Sequence, residues 1–203
     1  HQPEDAAECI NGGMLFGIDK GGGDLRPIVS SLALRRIAMR TAMIQDKDLI
    51  AKFFRGVNQF GIGVPGGVTH VFVMNKLALD ELMREWDEAE FASAEERSMA
   101  QPSNGQFDFE NFFNNCRRNK IIETVDKHFP TLARVTRMLH SQPSVLRVFS
   151  KGVLVDTIMS VEGSFQGCPA GCFHAGCATY ELCTSVKCIN PRAWWIIDDC
   201  STS

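Results

Sequence analysis

The sequence predicts an α+β protein, on three observations. Short apolar runs joined by glycine-rich or polar turns read as β-hairpins. Longer stretches with apolar residues at helical spacing read as helices. The two kinds of segment never alternate as strand–helix–strand units, which separates this chain from the doubly wound class. Its 203 residues are 44% hydrophobic, enough to bury the core of one domain or slightly more.

The elements follow in chain order. Leu15–Ile18 and Leu25–Val29 are apolar runs split by Asp19-Lys20-Gly21-Gly22-Gly23-Asp24, a flexible hairpin tip. Pro27 places the second run at a sheet edge or near its own start. Ser30 or Ser31 is expected to cap a helix that turns Leu34, Ile37 and Ala38 inward and Arg35, Arg36 and Arg40 outward. Gly61–Gly67 is a loop. A helix follows from Thr69, with Phe72, Leu79, Leu82, Met83 and Trp86 as its apolar positions. The polar stretch from Glu88 to Gly105 lacks periodicity and reads as a loop or insertion. Phe107–Phe109 opens a short strand. Residues 117–129 read as a helix, and Pro130 starts another at its tolerated first position. Val145–Phe149 and Val153–Met159 form a second hairpin around Ser150-Lys151-Gly152. A loop over Gly163–Gly171 leads to a helix at about 172–187. Trp194–Ile197 is the final strand expected.

Composition excludes some classes and leaves others open. No apolar run reaches the roughly 18 residues of a membrane span, so no membrane partner is expected. The net charge of −3, taken alone, argues mildly against a nucleic-acid partner. Its distribution says more. Residues 20–55 carry eight Lys/Arg against three Asp, residues 114–153 carry eight against two acids, and the acidic block 80–97 lies between them. Two basic blocks give either a local positive groove or solvated helix faces. Six of the eight cysteines fall in 168–200, but none are spaced Cys-x2-Cys. They read as reduced, mostly buried small residues; a zinc module is the alternative.

Chemistry concentrates in three carboxylates. Asp198-Asp199 closes the apolar run Trp194–Ile197, and Asp108 sits among aromatics in Phe107-Asp108-Phe109-Glu110-Asn111-Phe112-Phe113-Asn114. Carboxylates drawn from separate segments are the usual ligands of Mg²⁺ in two-metal phosphoryl transfer. A surface turn is the bland reading of Asp198-Asp199. Adjacent strand residues face opposite ways, so a turn is needed if both are to serve one site.

Four segments, in order, resemble the reverse transcriptases of non-LTR (LINE-type) retrotransposons. They are Lys20-Gly21-Gly22-Gly23-Asp24-Leu25-Arg26-Pro27-Ile28, similar to the fingers hairpin; Asp108 to Asn114, similar to the first palm motif; Gln166-Gly167-Cys168-Pro169, similar to the Gln-Gly loop; and Ile196-Ile197-Asp198-Asp199, in place of the aromatic-x-Asp-Asp box. Gly63-Val64-Pro65-Gly66-Gly67 is similar to a loop between fingers and palm in that group. The resemblance covers about residues 14–200 and implies a polymerase palm, an antiparallel sheet with helices on one face, plus a fingers subdomain. The implied division is an N-terminal extension over 1–13, fingers with an acidic insertion over 14–105, and a truncated palm over 106–203.

The function implied is RNA-directed DNA polymerase. Asp108, Asp198 and Asp199 would be catalytic and hold two Mg²⁺ (Mn²⁺ as substitute). Lys20 and Arg26 would reach the triphosphate of a dNTP. Phe113 would exclude a 2′-hydroxyl, where RNA-making relatives carry Asp. Gln166 and Gly167 would line the nucleotide pocket, and Asn114 would support Phe113 or the turn of its motif. An RNA template, a DNA primer and the remainder of a larger polyprotein (thumb and endonuclease) are the implied partners. The implied setting is intracellular, in the nucleus or cytoplasm of a eukaryotic host. The family box carries Tyr or Phe where this chain has Ile196. The chain is expected to be a fragment lacking the thumb and the second strand of the catalytic hairpin. The alternatives are a degenerate or truncated element copy that at most binds nucleic acid, and an RNA-directed RNA polymerase.

Overall fold

A computed structural model describes residues 10–202, so most of the expected 1–13 extension lies outside the described residues. The chain forms two compact units. One joins the N-terminal part through Lys47 with Asn111–Tyr180; the other joins Asp48–Glu110 with Glu181–Ser203. Secondary structure is mixed α and β, as the sequence predicts.

In the first unit, β1 (Gly13–Gly21) and β2 (Asp24–Ser31) form the expected hairpin, with Phe16 opposite Ile28 and Ile18 opposite Arg26. A second hairpin, β4 (Ser144–Ser150) and β5 (Val153–Ser160), turns through Lys151 and Gly152, both at positive φ. The four strands make one sheet in the order β2-β1-β4-β5. Its inner pair, β1 and β4, is parallel, so the sheet is mixed rather than antiparallel throughout. The long stretch between β1 and β4 permits this, because a parallel pair needs a crossover and cannot be closed by a tight turn. Val29, Leu146 and Phe165 form a buried cluster with Leu15 and Cys168 packed against it.

Four helices of this unit are α1 (Ala33–Gln45), the one-turn α5 (Phe112–Asn115), α6 (Arg118–His128) and α7 (Pro130–His140). The long α8 (Gly171–Ile189) begins here. Phe129, at the α6–α7 junction, meets Phe173 of α8 edge-to-face at 5.0 Å between ring centroids. Pro130 takes the first position of α7, as its fixed φ and missing N–H favour.

Helix α1 corrects one expectation. It buries Arg35 and Met39 and leaves Leu34 and Ile37 in solvent. The Arg35 guanidinium donates to the carbonyls of Ile10 and Asn11 and lies 5.3 Å from the Phe165 ring centroid. Unmet carbonyls and an aromatic face draw in a planar cation more strongly than the apolar periodicity draws in leucine. The helix also begins without a side-chain cap: its N-cap is Leu32, and Ser31 is buried in the strand before it.

The second unit contains α2 (Lys47–Arg55), α3 (Gly67–Glu88), α4 (Ala94–Met99) and a three-stranded sheet of β3 (Gly105–Asp108), β6 (Ala193–Ile196) and β7 (Asp199–Thr202), in the order β3-β7-β6. Trp194 packs on Val71 and Ala78 of α3, while Trp195 stacks parallel to Phe109 at 5.7 Å. Both faces of β6 are therefore covered, which is why Trp194-Trp195-Ile196 is continuously apolar. Phe72, expected on the buried face of α3, is exposed; Val71 takes that place.

Two further expectations change here. Residues 94–99 form a helix inside the stretch read as a loop. Ser93 caps it by accepting from the Glu96 N–H, and the Glu96 carboxylate reaches back to Ala92 N. Arg97 anchors it over the Trp86 ring, whose Nε1 donates to the Arg97 carbonyl. The strand ending at Ile196 is not the last. The chain turns at once and returns as β7, which occupies the centre of the sheet.

Candidate active site

The carboxylate end of the second unit is built by a tight turn. Ile196 pairs with Asp199 across β6 and β7, leaving Ile197 and Asp198 as a two-residue loop. On its other side β7 pairs with β3, and Asp108 is the register partner of Asp199. Residues far apart in sequence thus reach one end of one sheet. Asp108 and Asp199 are exposed and Asp198 is half-buried. Among the described residues, no group of three or more His, Cys, Asp or Glu is gathered closely enough to hold a metal ion. The donor set nonetheless has the right chemistry for Mg²⁺, which takes hard oxygen ligands and is commonly held by one or two carboxylates with water and phosphate completing the shell.

The turn is strained. Ile197 has φ 58°, a left-handed conformation that a β-branched residue enters at a cost of about 1–3 kcal/mol. The buried side chain of Gln59 holds it there. Gln59 Oε1 accepts from Ile197 N at 2.9 Å, and Nε2 donates to Ile197 O at 3.0 Å. The same Oε1 accepts from Gly61 N at 3.0 Å. Gly61 lies so near that a Cβ there would stand 2.6 Å from Ile197 N. Backbone pairing continues the contact: Trp195 N donates to Asn58 O, and Phe60 N donates to Trp195 O, each at 2.8 Å. Sequence reasoning missed Gln59. Its only signal was position, two residues before a glycine-rich loop.

The residues expected to contact a nucleotide lie in the first unit. The loop through Gln166 and Gly167 is tied to β2, because Val29 N donates to Gln166 O at 2.9 Å. Gly167 has φ 96°, and a Cβ there would stand 2.8 Å from Val29 O, so the approach requires glycine. The same loop is tied to α5, with Ser164 N donating to Phe113 O at 2.7 Å. Phe112 is buried and Phe113 half-buried, their rings edge-to-face at 5.4 Å. An open cleft of about 350 Å³ is lined by Leu15, Pro27, Asn114, Ser160, Phe165 and Gln166, among others. Gln166 Oε1 is buried without a hydrogen-bond partner. Lys20 and Arg26 stand exposed on the β1–β2 hairpin and do not line this cleft.

Beneath the loop, Arg118 is buried. It donates from Nε to Gly163 O, from Nη1 to Gln142 O and from Nη2 to Ser160 Oγ, while its backbone N–H donates to Glu162 Oε2. Burial lowers its pKa, and the neighbouring Glu162 opposes that shift. Arg118 and Arg35 both approach the Phe165 ring, at 5.9 and 5.3 Å from its centroid. Nothing in the sequence distinguished Arg118 from its solvated neighbour Arg117.

The described cysteines form no disulfide, and burial raises the thiol pKa of Cys177 and Cys200, the latter to about 11. Among the described residues no helix is long and apolar enough to cross a membrane.

No protein-family profile matches the chain, and no curated protein does. Solved structures similar to it include two of telomerase from Candida tropicalis. One is the apo protein truncated from its C-terminal domain, with 14% identity and a TM-score of 0.46, covering 95% of this chain and 43% of that one. The other is in complex with the TWJ fragment of telomeric RNA, with 15% identity and a TM-score of 0.49, covering 95% of this chain and 36% of that one. The chain therefore spans about two-fifths of the length of these neighbours.

Proposed function

We propose that this chain is the fingers–palm part of a reverse transcriptase of the non-LTR retrotransposon type, adding deoxynucleotides to a primer copied from an RNA template. The observation that carries the reading is the β6–β7 hairpin. It sets Asp198 in a two-residue turn and Asp199 opposite Asp108, so the Asp108 motif and the Asp-Asp box of the resemblance meet on one sheet.

Asp108 and the Asp198-Asp199 pair would hold Mg²⁺. Two such ions, if held there, would supply Lewis acidity for the primer 3′-hydroxyl and charge neutralisation for the leaving pyrophosphate. The chain's own residues supply binding and selection. The orphaned Gln166 Oε1 is an acceptor for a sugar hydroxyl, and the glycine at 167 lets the backbone approach closely. The half-buried Phe113 ring offers a flat apolar surface that leaves a ribose 2′-hydroxyl without a partner. Lys20 and Arg26, on a hairpin whose tip is Gly21-Gly22-Gly23, are cations suited to the triphosphate.

The experiment is primer extension on an RNA template with Mg²⁺. Extension with dNTPs is expected, with loss of at least about a hundredfold in Asp108→Ala and Asp198→Ala. Activity that survives both substitutions sinks the reading. Preference for ribonucleotides would restore the RNA polymerase alternative.

A second reading has an observation of its own. The three carboxylates do not gather into a metal-holding group, and Ile196 stands where the resembling family places an aromatic. That favours a relic that binds nucleic acid without catalysis. It predicts salt-dependent binding of a primer–template with no incorporation at any Mg²⁺ concentration.

A further inference from the structure

Gln59 makes an uncommon set of bonds. Its primary amide closes a two-bond ring with the backbone of Ile197, donor to carbonyl and carbonyl to donor, and its oxygen also takes the Gly61 N–H. In geometry this is one more rung of sheet, made by a side chain where the main chain has turned away. At the other end of β6 the preceding residue uses its side-chain amide as a donor only, with Asn58 Nδ2 donating to the carbonyls of Pro191 and Ala193. Two amides thus frame the strand that ends in the Asp-Asp turn. At the turn end the frame acts on a residue that resists its conformation, since Ile197 is β-branched and at positive φ. Gly61 completes the clamp, because any side chain there would push Ile197 N away.

From this geometry we propose that Gln59 is a positioning residue that fixes the direction of the Asp198 and Asp199 carboxylates by holding Ile197 in the left-handed conformation. Gln59 touches neither substrate nor reacting atoms; it acts through the turn. The proposal rests on the nucleotidyl-transfer reading for its functional consequence, but the clamp is a property of the chain that can be measured without activity. If the amide is lost, Ile197 relaxes toward negative φ, the two-residue turn opens and the Asp199–Asp108 pairing frays. A glycine at 197 accepts positive φ without strain, so it should make the clamp partly dispensable.

The test uses the whole chain as wild type, Gln59→Leu, and the double variant Gln59→Leu/Ile197→Gly. Two readouts are taken: amide exchange at residue 197 and along β7, and the Mg²⁺ concentration that half-saturates primer extension. In Gln59→Leu, exchange at 197 and along β7 should accelerate by at least about tenfold. The half-saturating Mg²⁺ should rise about tenfold with the KM for dNTP unchanged. In the double variant, protection along β7 and the Mg²⁺ requirement should return toward wild type, while the 197 amide stays fast. A general packing defect would not be relieved by adding a glycine, so absence of rescue overturns the proposal. So does exchange in Gln59→Leu within about twofold of wild type. If the wild-type chain extends no primer, the polymerase reading fails, and the clamp is decided by the exchange pattern of the three proteins.

Discussion

Arg118 shows how far one side chain can organise a loop. Its guanidinium binds the Gly163 and Gln142 carbonyls and the Ser160 hydroxyl, and its own N–H is met by Glu162. Removing it leaves buried acceptors unmet, each costing on the order of 1–3 kcal/mol. Arg118→Ala should lower unfolding free energy by about 3 kcal/mol in urea titration. Arg118→Lys should recover little of it, because an ammonium cannot span three acceptors in a plane. A loss below about 0.5 kcal/mol would mean that water replaces the guanidinium at that site. Phe112 and Phe113 make the complementary point. Two identical neighbours divide, one into the core and one toward the surface, because a single helical turn separates adjacent positions by about 100°.

At the level of elements, the hairpins carry the clearest physics. The β4–β5 turn has Lys151 at φ 50° and Gly152 at φ 80°, the pattern of a turn with both central residues left-handed. Glycine suits its place; lysine does not. Lys151→Asn should therefore stabilise the protein by about 0.5–1 kcal/mol, read as a raised Tm with unchanged m-value. A neutral or lowered Tm would show that the lysine side chain makes a compensating contact. The β6–β7 turn differs, since only its first central residue, Ile197, is left-handed, a place that glycine favours and that Gln59 bonds to here. Helix α4 is the third case. Its Ser93-x-x-Glu96 signal is present in the sequence, but the surrounding acidic, aperiodic composition hides it, since a short helix capped and anchored by Arg97 needs no apolar face.

Across the molecule, two buried histidines set the response to acid. His174 Nδ1 lies 3.0 Å from His140 Nε2, and His174 Nε2 lies 3.2 Å from Thr136 Oγ1. Burial, with Arg35 nearby, lowers the pKa of His174 to about 3. Burial, then His174, Arg118 and Arg35, lowers that of His140 well below its ordinary value. Well above pH 6.5, from about pH 8, both are neutral in folded and unfolded chains, and they add no pH dependence. Below it the unfolded chain takes up protons that the folded one refuses, so stability falls as pH falls, levelling for His174 near pH 3. The slope is at most about 1.4 kcal/mol per pH unit for each histidine. Urea unfolding at pH 7 and pH 5 should show a larger loss in wild type than in His174→Gln, by about 1–2 kcal/mol. Equal losses would place the acid sensitivity in the carboxylates instead.

Local pattern alone determined much of this protein: the α+β class, both hairpins of the mixed sheet, the helix pair around Pro130, and the ordered set of residues on which the functional proposal stands. Those features depend on neighbours in sequence, through turn chemistry, periodicity and the fixed φ of proline. The tertiary structure decided the rest. It turned α1 so that Arg35 is inside and Leu34 and Ile37 are outside, because carbonyls from another segment outweighed apolar periodicity. It paired β1 with β4 in parallel and returned the chain after Asp198 as the central strand of the second sheet. It also set Gln59 against Ile197 across 138 positions of sequence. No window along the chain contains both partners of such a contact, so only the folded backbone could bring the amide to the turn it holds.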